Sequence, residues 1–134
     1  MQALRNKSKY TGFLSRTYHS AKYAVEGLVY AYKNEKSLKL HAVMSLLGMV
    51  MGVIFKISLN EWSVMLIALG VILAFELVNT AMEACVDMVT LEYHDLAKVA
   101  KDCCGAATFV TSIISAIICG VIFIPKIFDW ISML

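Results

Sequence analysis

Apolar residues concentrate in three stretches of the sequence that contain no Asp, Glu, Lys or Arg: 42–55, 62–75 and 103–124. Only the third has the roughly 20 residues that a helix needs to cross about 30 Å of hydrocarbon. The first two reach that length when the polar residues at their ends are included. We therefore predict three membrane-spanning helices, over about 40–59, 62–87 and 101–124. The composition agrees, because 60% of the residues are hydrophobic and the mean hydropathy is +0.72, far above soluble usage.

The segment before the first apolar stretch has a helical period instead. Its apolar positions recur at alternating spacings of four and three, and its polar positions fall on another face. The apolar series is Leu14, Tyr18, Ala21, Val25, Leu28 and Tyr32, and the polar series is His19, Lys22, Glu26 and Lys33. This pattern is typical of a basic amphipathic helix in the membrane interface, here over about 12–34. The predicted fold is an all-α membrane protein of one domain, residues 1–134.

Charged residues are distributed unevenly along the chain, and their distribution predicts its orientation. Eight Lys and Arg but only two acids occur in the first 40 residues, which places the N-terminus in the cytoplasm by the positive-inside rule. The 56–61 turn and the C-terminus then lie outside a multi-pass cell-membrane protein, and the 87–102 loop lies inside. Pro125 and Trp130 are expected to mark the outer end of the third span. No signal peptide is expected.

One segment, "FELVNTAMEACVDMV", places acids in otherwise apolar surroundings. At about 100° per residue Glu76, Asn79, Glu83 and Asp87 fall on one face of a helix. Measured from Trp62, Glu76 lies roughly 21 Å and Glu83 roughly 31 Å along that helix. An ionisable group at such a depth is costly unless it is paired or in a polar cavity, so it is a functional candidate. The structural alternative is an acid that only bonds neighbouring helices.

Carboxylates graded from lipid to water suit phosphoryl transfer from a nucleotide to a lipid hydroxyl. Magnesium binds to a few carboxylates together with substrate phosphates, and Glu83 and Asp87 have the position for it, with Glu35 as a possible third. Lys101 has the position to neutralise phosphate charge. The inner basic charge suits lipid headgroups or nucleotides better than nucleic acid. No P-loop or G-x-G-x-x-G motif is present, and the four cysteines lack zinc-ligand spacing.

The segments "FELVNTAMEACVD" and "EYHDLAKVAKD" resemble two linked signatures of the small prokaryotic diacylglycerol kinase family, E-[IL]-[LV]-N-[ST]-A-[IM]-E-x-x-V-D and Y-H-x-x-A-K-x-A-K-D. "GLVYAYKNE" and "LKLHAV" extend the resemblance over nearly the whole chain. It implies a homotrimer of three-span chains, each with an interfacial N-terminal helix, that phosphorylates a lipid alcohol with Mg-ATP. Within the family, "KLHAV", "VIFKIS", "EW" and "IPKI" are similar to the undecaprenol kinases of Gram-positive bacteria.

The resemblance also implies roles for individual residues. Glu76 is expected to take the proton of the lipid hydroxyl, and Glu35 and Glu83 to bind magnesium. Asn79 and Asp87 would support the site, and Arg16 would also contact the lipid substrate. The nucleotide contacts implied are Arg16, Tyr23, Glu35, Glu83, Glu92, Tyr93, His94, Lys101 and Asp102. Taken alone, His94 is more often a loop histidine, and Tyr23 an interfacial aromatic.

Three alternatives stay open at this point. Within the family, diacylglycerol rather than undecaprenol is the other candidate substrate. A small transporter would use Glu76 as a proton-coupled carboxylate, which leaves the acids and Lys101 beyond it unexplained. A structural assembly protein would associate through Gly48 and Gly52, a G-x-x-x-G pair that allows close helix approach. Cys103 and Cys104, at the start of the third apolar stretch, depart from the family pattern.

Overall fold

A computed structural model describes residues 12–133, and in that range the chain forms four α-helices. They are α1 (Phe13–Asn34), α2 (Lys36–Ile54), α3 (Leu59–Val89) and α4 (Asp95–Ser132). The chain divides into two compact units between Asn34 and Glu35, so that α1 is separate from the unit of α2, α3 and α4. The basic residues Arg5, Lys7 and Lys9 lie outside the described residues. Helices α2 to α4 are each long and apolar enough to cross a membrane, which confirms the prediction of an all-helical protein with three candidate spans.

Helix α1 exposes much of its apolar series. Leu14, Tyr18, Val25 and Leu28 are all exposed within the chain, and Lys22 and Glu26 form an ion pair of 3.9 Å on the polar face. The ring of His19 stands edge-on to that of Tyr18, with 5.4 Å between the ring centroids. Its interfacial location stays a prediction, since it depends on a membrane surface.

Helix α2 begins and ends earlier than the predicted first span of about 40–59. It starts directly after Glu35, whose extended backbone forms the N-cap. It ends at Ile54 because the next residues form a tight turn, in which Lys56 has a φ of 49° and the Ile57 N–H donates to the Gly52 carbonyl at 3.1 Å. The polar residues at the start of α2 continue the helix, so hydropathy underestimates its extent there.

Helix α3 begins with a capping box. Ser58 Oγ accepts from the Glu61 N–H, and the Ser58 N–H donates to Glu61 Oε2 at 2.6 Å. The helix has 31 residues, or about 46 Å at ~1.5 Å per residue. That length exceeds the ~30 Å of hydrocarbon by roughly three turns. Helix α3 is therefore longer than one crossing of the apolar layer requires.

Helix α4 is longer at both ends than the predicted span of about 101–124. His94 forms its N-cap by accepting from the Leu96 N–H. The helix continues through Pro125 to Ser132, so Pro125 lies within it. Contacts with α3 and its flanking turn hold this last part in place despite the missing proline donor, because Phe123 is buried in the core and Lys126 pairs with Glu61 at 3.1 Å.

The apolar core of this unit lies around the turn between α2 and α3. Its buried residues come from the turn and the two longer helices: Ile57, Met65, Leu69, Ile122 and Phe123. Gly52 packs against Trp62 and Ile57, and Gly48 against Met65 and Leu69. The G-x-x-x-G pair therefore contacts α3 and the turn within one chain. This region is called the turn end below.

Candidate active site

Glu76 is buried on α3 and is held by two side chains of α2. Its residue exposure is 2%. Ser37 Oγ donates to Glu76 Oε2 at 2.7 Å, and His41 Nδ1 lies 2.8 Å from Glu76 Oε1. Thr80 Oγ1 donates to the Glu76 backbone carbonyl at 2.9 Å. Each carboxylate oxygen of Glu76 therefore has one side-chain hydrogen-bond partner, and these two contacts fix the orientation of the carboxylate.

The start of α2 is a suitable environment for this carboxylate. Ser37 lies in the first turn of α2 and His41 one turn further along. Unpaired N–H groups give the first turn of a helix a partial positive charge, which favours a nearby anion. Glu76 and Asn79 are both buried within a single chain.

Asn79 connects Glu76 to the next acid of the stripe. Asn79 is buried, and its Nδ2 donates to Glu83 Oε1 at 3.0 Å. Its Oδ1 is buried without a hydrogen-bond partner among the described residues. Glu83 is half-buried and Asp87 is exposed. Burial thus decreases from Glu76 to Asp87, in the direction expected of a stripe that leaves the apolar layer.

Glu35 interacts with the same carboxylates from the N-cap of α2. Burial raises the pKa of the Glu35 carboxyl above its ordinary value of 4.5, the negative charges of Glu83 and then Glu76 raise it further, and Lys39 lowers it. Like charges disfavour each other's ionised form when they are close. The three carboxylates Glu35, Glu76 and Glu83 therefore form one electrostatic cluster, which a cation would stabilise.

Two ion pairs lie beyond this cluster. Lys101 Nζ on α4 contacts Asp87 Oδ1 on α3. Lys98 and Asp102 pair at 2.7 Å along α4. The predicted site residues at this end therefore include one contact between helices and one within a helix. Lys101 is positioned by Asp87, whereas Asp102 pairs with a lysine that was not predicted to take part.

The predicted nucleotide contacts in the connection between α3 and α4 are exposed. Glu92, Tyr93 and His94 lie in residues 90–94, and the Thr90 hydroxyl accepts from the Glu92 N–H at 3.1 Å. His94 has a structural role as the N-cap of α4 through its Nδ1. Nε2 of the same ring is the atom available for a ligand contact.

Arg16 and Tyr23 lie on α1, in the other unit. His19 lies between them in sequence, and its ring centroid is 6.4 Å from that of Tyr23. The structure therefore brings together Glu35, Glu76, Asn79 and Glu83, and separately pairs Asp87 with Lys101. The two residues of α1 are described on their own helix only.

The donor set near Glu83 fits a magnesium ion in its chemistry. Carboxylate and amide oxygens are hard ligands of the kind that Mg²⁺ prefers, and Asn79 Oδ1 is a buried oxygen still without a partner in residues 12–133. Over the same residues, no group of three or more His, Cys, Asp or Glu side chains is arranged to hold a metal ion. An ion held by Glu35 and Glu83 would complete its coordination with phosphate oxygens and water.

Sequence reasoning missed Ser37 and His41 as partners of Glu76. His41 appeared there only within the segment "LKLHAV". The available signal was the i, i+4 spacing of Ser37 and His41, which places both on one face at the start of a spanning helix. Which residue of α3 that face meets depends on helix rotation, and the sequence does not specify it.

These features define a membrane-embedded enzyme with a buried acid and a chain of carboxylates along one helix. Residues 22–123 match the sequence profile of the family described as prokaryotic diacylglycerol kinase. The chain is 34% identical over 114 residues to an undecaprenol kinase of Bacillus subtilis, covering 85% of this chain and 93% of that protein. It is 31% identical over 107 residues to a diacylglycerol kinase of Escherichia coli K12, covering 80% and 87%. The chain belongs to the prokaryotic diacylglycerol kinase family and is an inner-membrane lipid kinase that uses ATP.

Proposed function

We propose that the protein transfers the γ-phosphate of Mg-ATP to the hydroxyl of undecaprenol and forms undecaprenyl phosphate. The burial of Glu76 beneath Ser37 and His41, next to a cluster of further carboxylates, is the observation that carries this proposal. Similarity to the Bacillus subtilis undecaprenol kinase supports the choice of lipid. Diacylglycerol is the second candidate substrate, because several relatives are diacylglycerol kinases.

Glu76 is the proposed base. It accepts the proton of the lipid hydroxyl as the hydroxyl oxygen bonds to the γ-phosphorus, and the bond from that phosphorus to the bridging oxygen of ADP breaks. Glu76 then releases the proton to solvent. Since phosphoryl transfer depends strongly on positioning and charge neutralisation, the fixed orientation of Glu76 matters as much as its basicity.

The remaining residues are proposed to bind and orient the nucleotide. Glu35 and Glu83 hold Mg²⁺, which when bound neutralises charge on the phosphates. Asn79 orients Glu83 through its amide, and Asp87 orients Lys101 toward phosphate. Further nucleotide contacts are assigned to Arg16, Tyr23, Glu92, Tyr93, His94, Lys101 and Asp102. Arg16 also contacts the lipid substrate.

The proposed assembly is a homotrimer with its N-terminus in the cytoplasm and its C-terminus outside. Exposed apolar side chains on α3, such as Ile67, Val71 and Val78, offer a surface for lipid or for another subunit. Basic residues of α1 suit the cytoplasmic face, with α1 in the interface and one domain over residues 1–134. Crosslinking of active protein that yields only monomer would refute the assembly.

The test of function is transfer of labelled γ-phosphate from Mg-ATP by purified protein in mixed micelles, with undecaprenol and diacylglycerol offered in parallel. Glu76→Gln should lower turnover about 10²- to 10⁴-fold, the range for a general base, with little change in nucleotide affinity. Glu61→Gln is the matched control, since it makes the same change on the same helix and Gln also completes a capping box.

Each outcome separates two hypotheses. Undecaprenol labelling that is lost in Glu76→Gln supports the proposal. Preferential labelling of diacylglycerol keeps the mechanism and overturns the substrate. Near-normal turnover in Glu76→Gln refutes the role of Glu76. No labelling of either lipid by folded, oligomeric protein favours a transporter.

A further inference from the structure

His41 is a polar side chain of the membrane-spanning region to which the proposed mechanism has given no role. Its Nδ1 lies 2.8 Å from Glu76 Oε1, and its side chain is only 22% exposed. A polar group between two spanning helices destabilises the fold when it has no hydrogen-bond partner. A hydrogen bond between two such groups also fixes their orientation. The pair joins α2 to α3 at the acid on which the chemistry depends.

The Glu76 carboxylate can accept a further hydrogen bond while Ser37 and His41 hold it in place. A carboxylate oxygen has two lone-pair sites. In the ionised form Oε1 accepts from His41 Nδ1–H and Oε2 accepts from Ser37 Oγ–H, each through one site. The second site on each oxygen stays available to a substrate hydroxyl. The two donors therefore restrict rotation of the carboxylate without occupying it fully.

His41 also lines an apolar groove. A groove of about 440 Å³ runs between the three spanning helices, and His41 lines it together with Leu40, Ser45, Gly48, Leu69 and Ile72. His41 thus contacts Glu76 and also lines the groove, whereas Glu76 is not among the residues that line it. A lipid hydroxyl that reaches Glu76 would meet a carboxylate whose direction is set by His41.

We propose that His41 is a positioning residue for phosphoryl transfer, which acts by donating from Nδ1 to Glu76 and aiming its free lone pair at the lipid hydroxyl. This inference rests on the proposed function, in which Glu76 is the base. His41 makes no contact with the reacting atoms in this arrangement. Its effect should therefore fall on turnover and should require an intact Glu76.

The test compares His41→Asn with His41→Gln, whose side-chain amides lie at different distances from the backbone. In His41→Asn the side-chain amide nitrogen occupies roughly the position of Nδ1, whereas in His41→Gln it lies closer to that of Nε2. His41→Leu removes the donor and keeps an apolar side chain. Ser45→Ala is the control on the same helix, since Ser45 lines the same groove and its Oγ is buried without a partner in the described chain.

We expect His41→Leu and His41→Gln to lower kcat about 10- to 100-fold, the cost of a misplaced reacting group, with the KM for Mg-ATP unchanged. His41→Asn should recover most of the turnover, and Ser45→Ala should match the parent protein. In the Glu76→Gln background His41→Leu should cost nothing more, because residues that act through one group are not additive. Helix content and oligomeric state are measured for every variant.

Three results would overturn the inference. The first is parental kcat in His41→Leu. The second is His41→Asn no more active than His41→Gln, which also decides the matter if His41→Leu fails to fold. The third is a full further loss on adding His41→Leu to Glu76→Gln. These failures differ from failure of the proposed function, in which the parent protein labels no lipid or Glu76→Gln stays active.

Discussion

Gly52 allows α2 to approach Trp62 closely, and its replacement tests how the turn end is packed. A Cβ added at Gly52 would lie 2.8 Å from both Cη2 and Cζ2 of Trp62 and 3.1 Å from Ile57 Cδ1. Contacts this short force a rigid indole ring to move. At Gly48, one turn earlier on the same helix, the nearest atoms would be 3.9 Å away, an ordinary van der Waals distance. Only Gly52 is required for the close approach.

The magnitude follows from two opposing effects. Overpacking of a filled core costs about 1–3 kcal/mol, whereas Gly→Ala in a helix interior gains up to about 1 kcal/mol. Since both glycines lie inside α2, the helix-propensity gain cancels when the two alanine variants are compared. Gly52→Ala should therefore be less stable than Gly48→Ala by about 1–3 kcal/mol.

The assay is reversible unfolding in mixed micelles by increasing SDS, followed by far-UV circular dichroism and by tryptophan fluorescence. Trp62 contacts Gly52, so its fluorescence should also change in the folded Gly52→Ala variant and stay constant in Gly48→Ala. Equal stability of the two variants, or greater stability of Gly52→Ala, would refute the packing described for the turn end. The comparison does not depend on activity and so tests the fold alone.

Two further predictions concern the carboxylate cluster. Glu83→Gln should raise the Mg²⁺ concentration for half-maximal turnover about 10-fold or more, whereas the matched change Asp129→Asn should not; an unchanged magnesium dependence would contradict the ligand role of Glu83. The pKa of Glu35 is raised by burial and by the charges of Glu83 and Glu76. Its favourable contribution to the free energy of unfolding is therefore complete at pH values below the pKa of Glu35 in the unfolded state. That contribution is lost as the pH rises through the pKa of Glu35 in the folded state. Without magnesium, Glu35→Gln should therefore lose less stability than the parent between pH 4.5 and neutrality, and parallel pH profiles would exclude this coupling.

The sequence was sufficient to predict features that depend on one helix. Helical spacing placed Asn79 and Glu83 together, and they share a hydrogen bond of 3.0 Å. Composition predicted three helices of spanning length. Contacts between helices were not predictable, because the pairing of His41 with Glu76 depends on how α2 is rotated against α3.

Helix boundaries were predicted less well, for a physical reason. Hydropathy reports which residues suit lipid, whereas a helix continues as long as its backbone hydrogen bonds and packing are satisfied. Helix α4 starts at Asp95, before its apolar stretch, and continues past Pro125. An ion pair between Lys126 and Glu61 stabilises that last part, and no local sequence pattern identifies such a partner.

In the unit of α2, α3 and α4, the turn end contains the apolar core, and the opposite end contains the buried Glu76. Because the two are separate, packing at the turn end can stabilise a unit that also buries a carboxylate. Glu76 lies 11 residues along α3 from the buried Met65, or about 16 Å, so the core at the turn end is distant from the acid. Core packing there holds α2 against α3 and so fixes the register that brings His41 to Glu76. Substitutions at the turn end should therefore alter stability first, and turnover only when they shift α2 along α3. The polar cluster contributes little apolar burial and depends on that register, which makes the His41–Glu76 distance of 2.8 Å the link between the fold and the proposed chemistry.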